Sequence, residues 1–269
     1  MRTHTTLTAL LAGLAIATAA GVAHAQAREE ARLLTSSQIL EELRSSRDQG
    51  IPDWLLQRAY GIAVIPDMTK IAWFFGARRG HGVLIVRDHD GRFTSPMFVT
   101  MTGGSIGFQW GVQSTDVVLV FTTPKGIEGI NGGKVTLGAD ASVAAGPVGR
   151  QAAAATDASL KAEVYSYSRS RGAFVGLALD GSAITIDDAA DAAFYRKPGV
   201  PAGDIMTGRV RSDDEAVRRF LAAVSTSTGG QRQASAAPAP AAAARPAERA
   251  SGTAQTFPLA DPKPGSEPK

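Results

Sequence analysis

Residues 61–93 read GIAVIPDMTKIAWFFGARRGHGVLIVRDHDGRF. Three runs of β-branched, aliphatic and aromatic residues, Ile62–Ile65, Ile71–Ala77 and Val83–Arg87, are separated by glycine, proline and charged residues. That punctuation is the mark of short strands joined by tight turns. Arg79-Gly80 and Asp90-Gly91 stand between neighbouring runs, where glycine supplies the positive φ that a short hairpin demands. The stretch therefore predicts antiparallel neighbours.

The same texture continues to Asp187, with further strand candidates at Phe93–Thr100, Ser105–Val112, Val117–Thr122, Lys134–Leu137, Lys161–Ser168, Ala173–Leu179 and Ala183–Ile186. No long helical pattern separates one strand from the next, which argues against a βαβ parallel sheet. Helices are expected around and after this block. Residues 28–47 carry Thr35 and Gln38 in capping-box spacing, with Ile39, Leu40 and Leu43 on one stripe. A second helix is expected from Ile51-Pro52 through Trp54 to about Ala59, with proline at its first position. Shorter helical segments are expected at Pro124–Ile130 and Asp188–Tyr195. A last helix at Asp213–Val224, capped near Ser212, puts Val217, Phe220, Leu221 and Val224 on one face. The expected fold class is α+β, a glycine-rich and mainly antiparallel sheet or barrel-like body with helices at its N- and C-terminal ends.

The two ends of the 269-residue chain read differently. Residues 1–25 have a basic start at Arg2, an apolar stretch to Val22 and then Ala23-His24-Ala25, the plan of a secretory signal cleaved after Ala25. Residues 229–269 hold seven of the 14 prolines and the run Ala241–Ala244, a composition expected to form a disordered tail. Residues 26–228 remain for one domain with a full core. The expected destination is the periplasm or beyond, peripheral to a membrane.

Composition narrows the chemistry. With no cysteine there is no disulfide framework, thiolate metal site or Cys nucleophile. Two of the four histidines, His4 and His24, fall in the leader, which leaves His81 and His89. The formal charge of +3 falls to +2 once Arg2 is removed, a weak argument for an anionic partner.

Several motifs invite a catalytic reading. Gly103-Gly104-Ser105-Ile106-Gly107 matches the nucleophile elbow of serine hydrolases, which needs a strand that turns into a helix and a histidine later in the chain. Here Phe108–Val112 continues as a strand pattern, and both remaining histidines precede Ser105, so close strand packing is the better reading. Gly132-Gly133-Lys134 lacks the spacing of a phosphate-binding loop and reads as a turn before a strand. Asp88-His89-Asp90-Gly91 lacks the further oxygen ligands of a calcium loop and reads as a hairpin tip. No metal, cofactor or catalytic residue is expected.

Between Lys70 and Arg92 the cations Lys70, Arg78, Arg79, Arg87 and Arg92 face only Asp88 and Asp90. Gathered on one rim, they would form a landing surface for anionic headgroups, each worth roughly 1 kcal/mol; dispersed, they are solubilising charge. Trp54 and Trp73 are the candidate interfacial anchors. Lys161, Glu163, Tyr165, Tyr167 and Arg169 alternate with Ala162, Val164, Ser166 and Ser168, a ladder that suits recognition or cross-strand pairing. The helix at 35–47 is expected to dock on the sheet rather than lie on a membrane.

GIAVIP (61–66), GVLIVRD (82–88), FVTMTGGSIGFQWGVQ (98–113), STDVVLVF (114–121), LGADASVAAGPVGR (137–150) and ATDASLKAEVYSYSRSR (155–171) together resemble the SYLF domain family. The similarity runs from about Ala31 to Ile205. The resemblance implies non-catalytic binding of phosphoinositides or other anionic lipids, and among eukaryotic members binding or bundling of actin. It also implies a basic amphipathic N-terminal helix. In this chain Glu29, Glu30, Glu41 and Glu42 offset Arg28, Arg32, Arg44 and Arg47. An envelope protein-interaction scaffold is the alternative reading, and a serine hydrolase a more remote one.

Overall fold

The computed structural model describes residues 24–43, 50–72, 75–106, 111–148, 162–170 and 173–228. Nine strands form one sheet in the order β5-β9-β3-β2-β1-β4-β7-β6, with β8 paired to β7. The strands are β1 Gly61–Ala72, β2 Phe75–Val86, β3 Met97–Ile106, β4 Gly111–Phe121, β5 Lys134–Thr136, β6 Val143–Ala145, β7 Val164–Ser170, β8 Ala173–Gly176 and β9 Ala183–Ile186. Among these pairs only β6 with β7 is parallel. Helices are α1 at residues 24–43, α2 Asp53–Gln57, α3 Lys125–Asn131, α4 Asp188–Phe194, α5 Ala202–Met206 and α6 Glu215–Ser227. The expected α+β class with a mainly antiparallel sheet is the one observed.

The strands are apolar on both faces because both faces are covered. Ile62, Val64, Val83, Ile85, Phe98, Val118 and Val120 share one buried cluster with Leu33, Ile39, Leu40 and Leu43 of α1 and with Val217, Phe220 and Val224 of α6. The alternate positions Ala63, Ile65, Leu84, Val86, Val99 and Leu119 belong to a second cluster. That cluster also draws in Ile127 and Ile130 of α3, Val135 of β5, Ile184 of β9 and Ile205 of α5. One cluster thus joins residues from near both margins of the sheet order, and the sheet curls around it.

Three local expectations are corrected. Arg79-Gly80 is no hairpin; it lies inside β2, which joins two of the expected strands. Gly80 and Gly82 serve there as bare backbone, since a Cβ on Gly80 would stand 2.5 Å from Ile65 Cγ2 and one on Gly82 2.3 Å from the Val64 carbonyl oxygen. Ile62–Ile65 and Ile71–Ala72 likewise form one strand, interrupted by a bulge at Pro66-Asp67. Proline cannot donate to a ladder, and Asp67 takes a left-handed φ of 49°. Its amide donates to Asp116 Oδ1 at 3.0 Å. Thr35 is no cap either: α1 extends well upstream of it, and its hydroxyl donates to the Ala31 carbonyl at 3.0 Å.

Other expectations hold. Asp90-Gly91 forms the turn, with Gly91 at φ 73° and a bridge between Arg87 and Phe93 closing it. Pro52 caps α2 from one position earlier than expected. Residues 125–131 and 188–194 are helical, and the last helix is capped by Asp214 rather than Ser212. Helix α5 was not expected. Of the expected leader 1–25, residues 1–23 lie outside the described residues, as does the tail from 229, whereas His24 and Ala25 begin α1.

Candidate functional site

The expected cationic rim is divided. Lys70 of β1 stands directly opposite Arg78 of β2, and Thr69 opposite Arg79. Arg87 is nine residues further along the chain, which at strand spacing puts it about 30 Å away. Arg92 accompanies Arg87 at the distal tip. Successive residues on a strand point to opposite faces. Arg78 therefore shares the face of Gly80 and Gly82, toward the second cluster, while Arg79 lies on the other.

At the proximal end the neighbouring register positions are neutral. Lys70 is flanked on β4 by Gln113, and Thr69 by Ser114; Arg78 faces Gly103 on β3, and Arg79 faces Thr102. Burial pulls the Arg78 guanidinium below its usual range, with no carboxylate among the described residues contributing to the shift. Arg79 is exposed.

Arg87 is committed to holding the fold. Its Nε donates to the Ala59 carbonyl at 2.8 Å and its Nη1 to the Gly91 carbonyl at 2.6 Å, while the guanidinium lies 4.1 Å from the centre of the Phe93 ring. Asp88 Oδ1 accepts from the amides of Asp90 and Arg92, both at 2.9 Å, so its carboxylate orders the turn. A cleft of about 870 Å³ opens beside this tip, lined by Tyr60, Arg87, His89, Asp188 and Arg209 among others. Arg209 is paired there with Asp204 at 2.7 Å.

Trp54 is half-buried against the first cluster, and Trp73 lies outside the described residues. The tyrosine ladder of β7 is core: Tyr165 and Tyr167 are buried against the helices, and burial pushes both phenols up. At the end of the same face Arg169 pairs with Asp116 at 3.3 Å and with Glu42 of α1 at 2.5 Å. Ser105 lies in β3 opposite Gly76, one residue before the strand ends at Ile106, and the residues that an elbow's helix would occupy, 107–110, lie outside the described residues. His81 Nδ1 lies 3.0 Å from Thr100 Oγ1 and 3.2 Å from Asp187 Oδ2. Both partners share one ring nitrogen, whereas a nucleophile–base–acid relay uses the two opposite nitrogens.

Sequence reasoning missed a buried acidic pocket between α1 and α4. Asp191 is fully buried; its Oδ1 accepts from the Phe98 amide at 2.9 Å and its Oδ2 has no partner. Burial, with Asp187, Asp188 and Glu29 adding repulsion, pushes its carboxyl up to about 7. Glu29, also fully buried, lies 2.6 Å from Arg32 Nη1, and the Arg32 guanidinium sits 5.6 Å from the centre of the Phe98 ring. The legible signal was the i, i+4, i+7 row Asp187, Asp191, Phe194, which places an acid on an apolar face.

Comparison with known proteins adds a family. The family model described as "Ysc84: Las17-binding protein actin regulator" matches residues 102–225, from the end of β3 to α6. "LAS seventeen-binding protein 3" of Saccharomyces cerevisiae is 38% identical over 167 residues, 61% of this chain and 36% of that protein. "Protein YSC84" of the same yeast is 37% identical over 167 residues, 61% of this chain and 35% of its own length. "SH3 domain-containing YSC84-like protein 1" of Xenopus laevis is 29% identical over 192 residues, covering 71% and 57%. The chain thus spans less than two thirds of each of these relatives.

Proposed function

From the match of residues 102–225 to the Ysc84 family model and the likeness to the yeast relatives, we propose that this chain belongs to the Ysc84 (SYLF) family and is a non-catalytic binding module for the anionic headgroups of lipids, phosphoinositides included. The headgroups approach the proximal end of the β1–β2 ladder. One observation carries this reading: Arg78 and Arg79 lie side by side on β2, with Lys70 directly opposite Arg78, and their register partners on β3, Gly103 and Thr102, are neutral. Two such arginines near an anionic surface contribute about 2 kcal/mol, roughly thirtyfold in affinity. Residues 1–25 act as a cleaved export signal and residues 229–269 as a tail, which brings the module to an envelope membrane as a peripheral protein.

Co-sedimentation with phosphatidylglycerol vesicles at low salt, against phosphatidylcholine vesicles, tests the reading. Binding to the anionic vesicles alone, weakened by salt and by Lys70→Ala with Arg79→Ala, is the expected result. No sedimentation with any anionic vesicle rejects it.

The family description and the yeast relative's name favour a second reading, a protein-binding scaffold of the actin-regulator kind. A stoichiometric protein partner captured without lipid would favour it over the first.

A further inference from the structure

We propose that Arg78 is a preformed clamp for a single phosphate group, which it grips with its two Nη nitrogens. The inference rests on the anionic-ligand reading above and turns a diffuse attraction into a defined site. Among the described residues, burial pulls three guanidinium groups below their usual range: Arg32, Arg78 and Arg87. Glu29 and Asp187 offset the burial of Arg32. Two carbonyl oxygens and the Phe93 ring answer Arg87. Among the described residues no carboxylate, carbonyl or ring answers Arg78.

Its geometry is that of a group held from behind. Nε is buried without an acceptor, and among the described residues no hydrogen bond or ion pair engages either Nη. The stem of Arg78 crosses Gly103 on the neighbouring strand, where a Cβ would stand 3.2 Å from Arg78 Cγ and 2.5 Å from Ser182 Oγ. Gly103 is thus the bare seat of the arginine. Ser182, fully buried, sits against that seat with its own hydroxyl unpaired. Lys70, directly opposite across the ladder, adds a second positive side chain to the same face.

A half-desolvated cation without a counter-charge is costly, and the cost is recovered when an anion completes it. The planar fork of arginine suits two oxygens of one phosphate, a match that lysine cannot reproduce. With its stem fixed, the side chain loses little further freedom on binding. The ligand class is a phosphate monoester, carried on a lipid headgroup or on a soluble molecule.

The test follows the arginine Nε–Hε resonances of the ¹⁵N-labelled chain, residues 26–269, titrated with inorganic phosphate and with glycerol 3-phosphate at matched ionic strength. A saturable shift of the Arg78 signal is expected. Arg78→Lys, which keeps the charge, should weaken glycerol 3-phosphate binding at least tenfold, while Arg219→Lys on the exposed face of α6 leaves it unchanged. An unmoved Arg78 resonance in the wild-type chain overturns the clamp whether or not the variant folds. Binding retained within twofold by a folded Arg78→Lys also overturns it.

Vesicles form the second arm. Saturable binding of glycerol 3-phosphate without sedimentation on anionic vesicles supports the clamp and rejects the lipid reading. Vesicle binding with no phosphate response at Arg78 does the reverse.

Discussion

Replacing Asp191 by asparagine should make the protein more stable at alkaline pH than the wild-type chain. The carboxyl is pushed from 3.8 up to about 7 by burial and by Asp187, Asp188 and Glu29. Between about pH 4 and pH 7 the folded chain therefore holds a proton at Asp191 that the unfolded chain has released. Stability contributed by that proton falls as pH rises through this window and is gone above about 7. A shift of about 3 units corresponds to about 4 kcal/mol over the whole window, of which about 3 kcal/mol falls between pH 5 and pH 8. Asparagine keeps the acceptor for the Phe98 amide and places an amide donor where Oδ2 has no partner, facing the neighbouring acids. Thermal or urea melts of both chains at pH 5, 6, 7 and 8 measure the gap, and titrations common to both chains cancel in the difference. The gap should widen in favour of Asp191→Asn by about 3 kcal/mol, or roughly 6–12 °C in Tm for a domain of this size. A gap constant to within about 1 kcal/mol across that range, or one that narrows, refutes the buried-carboxyl argument.

Other substitutions separate scaffold from surface. Arg87→Ala removes both carbonyl contacts and the ring contact of the distal tip, and should cost about 1–3 kcal/mol in urea melts while anionic vesicle binding per folded molecule is unchanged. Loss of vesicle binding without loss of stability would return Arg87 to the binding surface. Gly82→Ala drives a methyl to 2.3 Å from the Val64 carbonyl and should destabilise by more than about 2 kcal/mol, measured as a drop in urea midpoint. A neutral result would mean that β1 and β2 part easily. Leu33→Ala, at a fully buried position of α1, should cost about 2–5 kcal/mol by the same measurement; an effect below about 1 kcal/mol would show that the helix is not docked.

What was legible in the chain follows from how local the governing forces are. The stripe Ile39, Leu40, Leu43 announced a docked helix because amphipathic spacing is written in neighbouring residues, and all three are buried. Asp90-Gly91 announced its turn for the same reason. Arg79-Gly80 has the same local chemistry yet sits mid-strand, because glycine is needed there to admit Ile65 from another strand. Nothing in the residues beside it carries that information. The capping pattern at Thr35 was overridden by a helix that extends upstream through buried Glu29 and Leu33. Tyr165 and Tyr167 read as a possible recognition ladder because alternation marks a face without saying what covers it. The division of the cations was readable in part: Arg78 and Arg79, being adjacent on a strand, must point apart. The distance to Arg87 was hidden, since a turn at Gly80 would have folded the chain back. Arg78 itself stood among the candidates, but its seat on Gly103 and its neighbour Ser182 are contributed by other strands and loops, which no run of sequence juxtaposes.

The sheet tapers at its margins. β5 and β6, the first and last strands in its order, have three residues each, against the ten to twelve of β1, β2 and β3. So short a margin offers a neighbouring molecule few unpaired amides on which to extend the ladder. Many copies crowded onto one surface would therefore jostle without stitching into fibrils, and the long inner strands stay shielded from such exchange.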